Sequence, residues 1–261
     1  MKLLIDVGNT ALKWTVTDAT GAPGAVFAEI HRDVDDLPMR LASAWHALDP
    51  SGSALGCSVA SHEVRAVVER AAAGCGFQLD WLGAETQHRG QVRLTNGYRQ
   101  PMQLGADRWH GMLGACAAHP GESFVLIAAG TASTIDCVAV DKEGARFVGG
   151  CIAPGGYMML EALEQRTAGL PHAHGRTVEF PDNTDDAIAT GVADAQVGLA
   201  RRVIERFTRY LGRVPSVLVS GGDAASVAAG LQGDGFEPAI EHNLVLTGLA
   251  LRARMSSPVR S

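Results

Sequence analysis

The chain has 261 residues, 46% of them hydrophobic, 19% charged and 5% aromatic, with 31 glycines. That composition belongs to a folded globular protein, excludes a disordered or collagen-like chain, and at roughly 150 residues per domain suits one or two domains. Lys and Arg number 22 against 28 Asp and Glu, a net charge of −6, which argues against general nucleic-acid or anionic-membrane binding.

Residues 2–7 form a short apolar run, read as a buried strand. Gly8-Asn9-Thr10 reads as a turn, and residues 11–17 alternate as a half-buried strand. Residues 25–30 and 54–60 read as further strands. Ser61 caps a helix with Val64, Val67, Val68, Ala71, Ala72 and Cys75 on one face, ending at Gly74 or Gly76. A strand follows over 77–82, and 83–104 reads as polar and irregular. Gly105-Ala106-Asp107 opens a helix with Trp109, Met112, Leu113 and Cys116 inward; His119-Pro120-Gly121 closes it. That closure divides the chain into lobes 1–120 and 121–261.

The opening pattern then recurs. With Gly8 set on Gly130, Leu3-Leu4-Ile5 falls on Val125-Leu126-Ile127 and Val16 on Val138. Strands are predicted over 124–129, 133–140 and 145–153, and a helix over 157–166. A long helix spans Thr184 to Leu211, with Ile188, Val192, Ala195, Leu199, Val203, Phe207 and Leu211 inward. A strand over 216–219 ends in Ser220-Gly221-Gly222-Asp223. The helix predicted over 243–255 can pack back on the first lobe, and the last six residues are expected to fray. The fold class is α/β, two similar lobes with mixed sheets flanked by helices.

No apolar run approaches the roughly 18 residues of a membrane span. Asp6 breaks the apolar stretch that a signal peptide would need, so a cytoplasmic protein is expected. Cys57, Cys75, Cys116, Cys137 and Cys151 show no CxxC spacing and read as buried thiols. The nine histidines show no metal spacing, and His172 and His174 read as solvated.

Four segments could carry chemistry. In Asp6-Val7-Gly8-Asn9-Thr10, an acid ends a buried strand and a Gly turn follows. Gly8 lets backbone N–H groups approach an anion, Asn9 and Thr10 add donors, and Lys13 adds charge. Beside phosphates, Asp6 would have to hold Mg²⁺ or its waters; a plain hairpin with an Asx-type turn is the rival reading. Gly130-Thr131-Ala132-Ser133-Thr134 is the matching turn of the second half, and two such turns facing each other would clamp a polyphosphate. Asp107 in Gly105-Ala106-Asp107-Arg108 is either a helix cap or a general base beside a cation. The glycines of Ser220-Gly221-Gly222 admit a flat ligand such as adenine, or simply make a turn. Neither GxxxxGK[ST] nor a strand-following GxGxxG occurs.

The ordered set DVGNT, GADRW, GTASTID, GGCIAPG and SGG resembles the type III pantothenate kinases, of the acetate and sugar kinase, Hsp70 and actin superfamily. The resemblance spans Asp6 to Gly222. It implies two ribonuclease-H-like (actin-like ATPase) lobes clasping ATP with Mg²⁺. It assigns the cofactor loop to Asp6, Val7, Gly8, Asn9, Thr10, Ala11, Leu12 and Lys13, an ATP contact to Thr131, and the metal to Asp6. It assigns pantothenate to Tyr98, Gly105, Ala106, Asp107, Arg108 and Thr184, with Asp107 as proton acceptor. It implies a homodimer with the substrate pocket closed by the neighbouring subunit, and phosphorylation of pantothenate to 4′-phosphopantothenate. Many members bind K⁺ or NH₄⁺ through an Asp two residues before the second-lobe Gly; Ala128 stands there. The cation is then held by carbonyls and water or is not used. A nucleotide-binding regulator without catalysis is the alternative, and a sugar or acid kinase or phosphatase of the same superfamily the third reading.

Overall fold

The computed structural model describes residues 1–31, 35–48, 53–167 and 174–255. The chain divides into two compact units, Met1–Pro120 with the chain from Asn243 onward, and Gly121–His242.

In the first unit, β1 (Leu3–Val7), β2 (Ala11–Val16) and β3 (Phe27–Ile30) make an antiparallel meander. Then α1 (Leu37–Trp45), β4 (Ser53–Ser58), α2 (His62–Gly74) and β5 (Gln78–Trp81) add two strands parallel to β1, in the order β3-β2-β1-β4-β5. β1 is central and covered on both faces, which is why it reads as a continuous apolar run. Leu3, Ile5 and Val7 face Leu37, Leu41, Trp45 and the Val64, Val67, Val68 stripe; Leu4 faces the other way. The Ser61 hydroxyl accepts from the Val64 N–H, the expected cap. Cys75 is only partly buried.

Residues 83–104 are more ordered than their polarity predicts. β6 (Gln87–Arg89) and β7 (Arg93–Asn96) form a hairpin, and Pro101–Gln103 a 3₁₀ turn. Strands this short give no readable alternation, and pairing supplies what the pattern lacks. The helix α3 (Ala106–Ala118) buries Trp109, Met112, Leu113 and Cys116.

In the second unit the order of events repeats. β8 (Phe124–Ala129), β9 (Ala132–Asp141) and β10 (Gly144–Pro154) are antiparallel. After α4 (Gly156–Arg166) and α5 (Thr184–Leu211) come β11 (Ser216–Ser220), α6 (Ala224–Gly233) and β12 (Pro238–Ile240), parallel to β8. The sequence β12-β11-β8-β9-β10 is the same order as in the first unit. Each unit thus carries the ribonuclease-H-like arrangement, a mixed sheet flanked by helices. The buried stripe of α5 differs from the apolar reading: Gln196, Ala200 and Ile204 are buried with Ile188, Val203 and Phe207, whereas Ala195 is exposed. A search for apolar periodicity passes over a buried glutamine. The Gln196 side chain accepts from the Ser133 hydroxyl and donates to the Pro154 carbonyl, so its burial is compensated.

The last helix, α7 (Leu244–Met255), belongs to the first unit. Leu246, Leu249, Ala250 and Ala253 pack on Leu4, Leu55 and Cys57, the face of the first sheet opposite α1 and α2. It crosses α3 closely at two glycines. A Cβ at Gly114 would lie 2.0 Å from the Leu244 carbonyl oxygen, and one at Gly248 2.0 Å from that of His110. His174 is exposed; His172 and residues 256–261 lie outside the described residues. All five cysteines are free thiols, Cys57, Cys116 and Cys137 buried, Cys75 and Cys151 partly so. Among the described residues no helix is long and apolar enough to cross a membrane.

Gly248→Ala is expected to destabilise the protein by about 2 kcal/mol or more, because the two helix backbones must separate. Gly198→Ala, with open space at its Cβ position in α5, should instead stabilise by roughly 0.5–1 kcal/mol. Urea unfolding of both variants checks the pair.

Candidate active site

The site of the first unit begins at the end of β1. Side chains alternate along a strand, so Asp6 leaves the sheet on the face of Leu4, the face covered by α7. Its sheet partners are Lys13 on β2 and Cys57 on β4. The Cys57 thiol donates to Asp6 Oδ1 at 3.7 Å. The turn that follows is closed by Gly8 N–H donating to the Ala11 carbonyl at 3.0 Å. His31, 4% exposed and directly after β3, anchors it: its backbone N–H donates to the Thr10 carbonyl at 3.1 Å, and its Nε2 lies 2.8 Å from the Gly8 carbonyl. A carbonyl only accepts, so Nε2 carries the proton. Val7 and Leu12 are buried in the core on the opposite face, which leaves their backbone for any ligand.

Asp107, on the first turn of α3, lies near enough for its charge to act on Asp6. The N-cap is Gly105, without a side-chain cap, so Asp107 is not the cap. Its Oδ1 accepts from the Arg108 N–H at 2.7 Å. A Cβ on Gly105 would lie 2.6 Å from that oxygen, which is the room a glycine provides. Arg108 is buried, with Nη1 donating to the Tyr98 hydroxyl at 3.0 Å. Tyr98 is set by Asn96, whose amide donates to the Glu85 and Pro101 carbonyls and whose oxygen accepts from the Tyr98 N–H. Asp6, Lys13, Tyr98, Asp107 and Arg108 thus belong to one neighbourhood of one unit.

Burial and the Asp107 charge push the Asp6 carboxyl up to about 7, against the smaller opposing effects of Lys13 and the Cys57 thiol. Burial also raises Asp107, opposed by the N–H and guanidinium of Arg108. Two dehydrated carboxylates that feel each other's charge are destabilising alone and suited to a divalent cation. Among the described residues no group of three or more His, Cys, Asp or Glu could hold a metal ion. The two carboxylates are hard oxygen donors, of the kind Mg²⁺ takes together with waters and phosphate oxygens.

In the second unit two segments converge on the turn after β8. The Gly155 N–H donates to the Thr131 carbonyl at 3.0 Å and the Asp223 N–H to the Ala129 carbonyl at 3.1 Å. A Cβ on Gly155 would lie 1.9 Å from the Gly130 oxygen, and one on Gly221, at φ +103°, 2.0 Å from the Ala129 oxygen. Thr131 is exposed at the tip. Nearby, a cavity of about 330 Å³ is lined by Gly156, Tyr157, Gln196, Asp223 and Ser226. A larger apolar groove, about 810 Å³, runs between α4 and α5 past Met158, Leu163, Arg166, Thr184 and Val192.

Sequence reasoning passed over Cys57, Asn96 and His31. For Cys57 the one signal is a thiol in the strand that follows the β1–β2–β3 meander and pairs with β1; the other two carry no motif.

A family model described as type III pantothenate kinase matches residues 2–206. A type III pantothenate kinase of Laribacter hongkongensis is 41% identical over 98% of this chain and 100% of its own. That of Verminephrobacter eiseniae is 39% identical over 95% and 94%. Component A of (R)-2-hydroxyglutaryl-CoA dehydratase from Acidaminococcus fermentans has the same fold, with a TM-score of 0.53 at 16% identity over 96% of each chain.

With metal removed by chelation, Asp6→Asn is expected to stabilise the protein above pH 7. A carboxyl raised from 3.8 to about 7 contributes stability at low pH that is lost as pH rises through 7. The advantage of the amide should therefore be small near pH 4, grow to pH 7 and level off at a few kcal/mol, about 1.4 per pH unit. Thermal unfolding of both proteins from pH 4 to 8.5 checks it.

Proposed function

Because the chain belongs to the type III pantothenate kinase family, and so is an ATP-dependent kinase that converts pantothenate to 4′-phosphopantothenate at the first step of coenzyme A biosynthesis, we propose that Asp107 is its base and Asp6 its metal anchor. The observation that carries this division is the pairing of the two carboxylates in the first unit with different partners: Asp6 with Lys13 and Cys57, Asp107 with Arg108.

Asp107 Oδ1 is engaged by the Arg108 N–H, so Oδ2 receives the proton of pantothenate's primary hydroxyl. The hydroxyl oxygen bonds to the γ-phosphorus as the bond to the ADP oxygen breaks. The raised Asp107 carboxyl is a better base than an ordinary one, and a loose transition state lets the proton leave late. Arg108 and Tyr98 bind the polar groups of pantothenate, with Gly105 and Ala106 lining the approach. Asp6 would hold Mg²⁺ or its waters; bound there, the ion offsets phosphate charge. Gly8, Asn9, Thr10 and Lys13 hold phosphate oxygens, with backbone contributed by Val7, Ala11 and Leu12.

In the second unit Thr131 contacts the nucleotide. The cavity beside Asp223 and Gly156 suits the adenine end. Ala128, paired with Thr134 in the β8–β9 ladder, brings no charge for a monovalent cation, so K⁺ and NH₄⁺ are dispensable in this reading. A second copy of the chain covers the apolar surface of the second unit, where Ile152, Tyr157, Met158 and Phe180 are 64%, 47%, 41% and 85% exposed; Thr184 lines the groove of that surface. The cytoplasm, with its ATP and Mg²⁺, is the compartment this reading requires.

The test is ADP release with pantothenate as acceptor. Asp107→Asn should lower kcat by at least about 100-fold while the KM for ATP changes little. Near-normal turnover in that variant removes Asp107 from the base role. Equal rates in K⁺ and Na⁺ buffers support the reading of Ala128, and a rate confined to K⁺ contradicts it.

A further inference from the structure

Cys57 has no part in the chemistry described so far. It stands directly opposite Asp6 in the parallel pairing of β1 with β4, so both side chains leave the sheet on the same face. The thiol is 0% exposed, and it donates to Asp6 Oδ1 at 3.7 Å. On the other side of Asp6, the registered partner is Lys13.

A carboxylate that anchors a cation must present one oxygen in a fixed direction. Rotation about its terminal torsion is soft, so direction has to come from a partner on the other oxygen. We propose that Cys57 is a positioning residue for metal binding: its S–H holds Asp6 Oδ1 and so fixes Oδ2 for the Mg²⁺ of the bound nucleotide. The inference rests on the kinase reading and deepens it.

Two simpler roles fit less well. A nucleophilic or redox thiol needs access and thiolate character; Cys57 is enclosed, and burial beside Asp6 and Asp107 keeps it protonated. A packing residue is consistent with the surrounding Leu4, Leu55 and Leu246, but packing does not require a hydrogen-bond donor aimed at the one carboxylate of β1.

The two roles rank substitutions differently. Cys57→Ser keeps a donor of similar size, whereas Cys57→Ala keeps a small side chain and removes the donor. If Cys57 only packs, a buried hydroxyl is no better than a methyl group. The experiment is Mn²⁺ binding in the presence of ADP, followed by the loss of the free-ion electron paramagnetic resonance signal, alongside the Mg²⁺ dependence of ADP release. For Cys57→Ala the expected result is an about tenfold rise in the Mn²⁺ dissociation constant and in half-saturating Mg²⁺, with the KM for pantothenate unchanged. Cys57→Ser should stay within about twofold of the unsubstituted protein. An alanine variant that binds Mn²⁺ normally, or a serine variant as impaired as the alanine one, overturns the inference while leaving the kinase reading intact. Failure of that reading looks different: the unsubstituted protein then releases no ADP with pantothenate, and the inference falls with it.

Discussion

Asp6 and Asp107 repel each other in a poorly hydrated place, and the first unit is built so that neither can move away. Asp6 belongs to the central strand of its sheet, hydrogen-bonded on both sides to β2 and β4. Asp107 sits on α3, which α7 grips at Gly114 and Gly248 so closely that a methyl group at either position would collide with backbone. The raised Asp6 carboxyl is the electrostatic consequence. Such an arrangement is unfavourable by itself; on the proposed reading a cation and a phosphate entering together would relieve it, and the binding energy recovered would help to orient the reactants.

The second unit repeats the sheet order of the first and departs from it at the loop. Both have a Gly turn after the first strand. In the first unit that turn is anchored by His31 and preceded by an acid. In the second it is anchored by backbone donors beside Gly155 and from Asp223, and is preceded by Ala128. One scaffold thus carries two kinds of loop: one preceded by an acid and one held by backbone hydrogen bonds. In the first copy the acid before the turn is joined by a second carboxylate from a helix; in the second, Asp223 stands beside a turn that no acid precedes.

Much of this was legible in the residues. Apolar runs, turn glycines and the offset between Gly8 and Gly130 gave β1 to β5 and β8 to β11. Capping chemistry at Ser61 and period at Thr184–Leu211 gave two helices with their boundaries. The elements that escaped have physical reasons. α1 is short and carries a proline at its start; α6 is mostly Ala and Gly, with little contrast between faces. β6, β7 and β12 are three or four residues long. At the candidate site, Asp6, Asp107 and Arg108 could be nominated from position and type. Their mutual proximity, and the parts played by Cys57, Asn96 and His31, depend on strand register and loop hydrogen bonds, which no local pattern encodes. The buried Gln196 was hidden for a related reason, since its partners come from two other elements.

The most direct test of the two-carboxylate account is a crystal structure with Mg²⁺, a non-hydrolysable ATP analogue and pantothenate bound together. The account predicts the primary hydroxyl of pantothenate within hydrogen-bond reach, about 3 Å, of Asp107 Oδ2, with Asp6 touching the metal or one of its waters. A hydroxyl turned away from Asp107, or a metal bound with no link to Asp6, would contradict it.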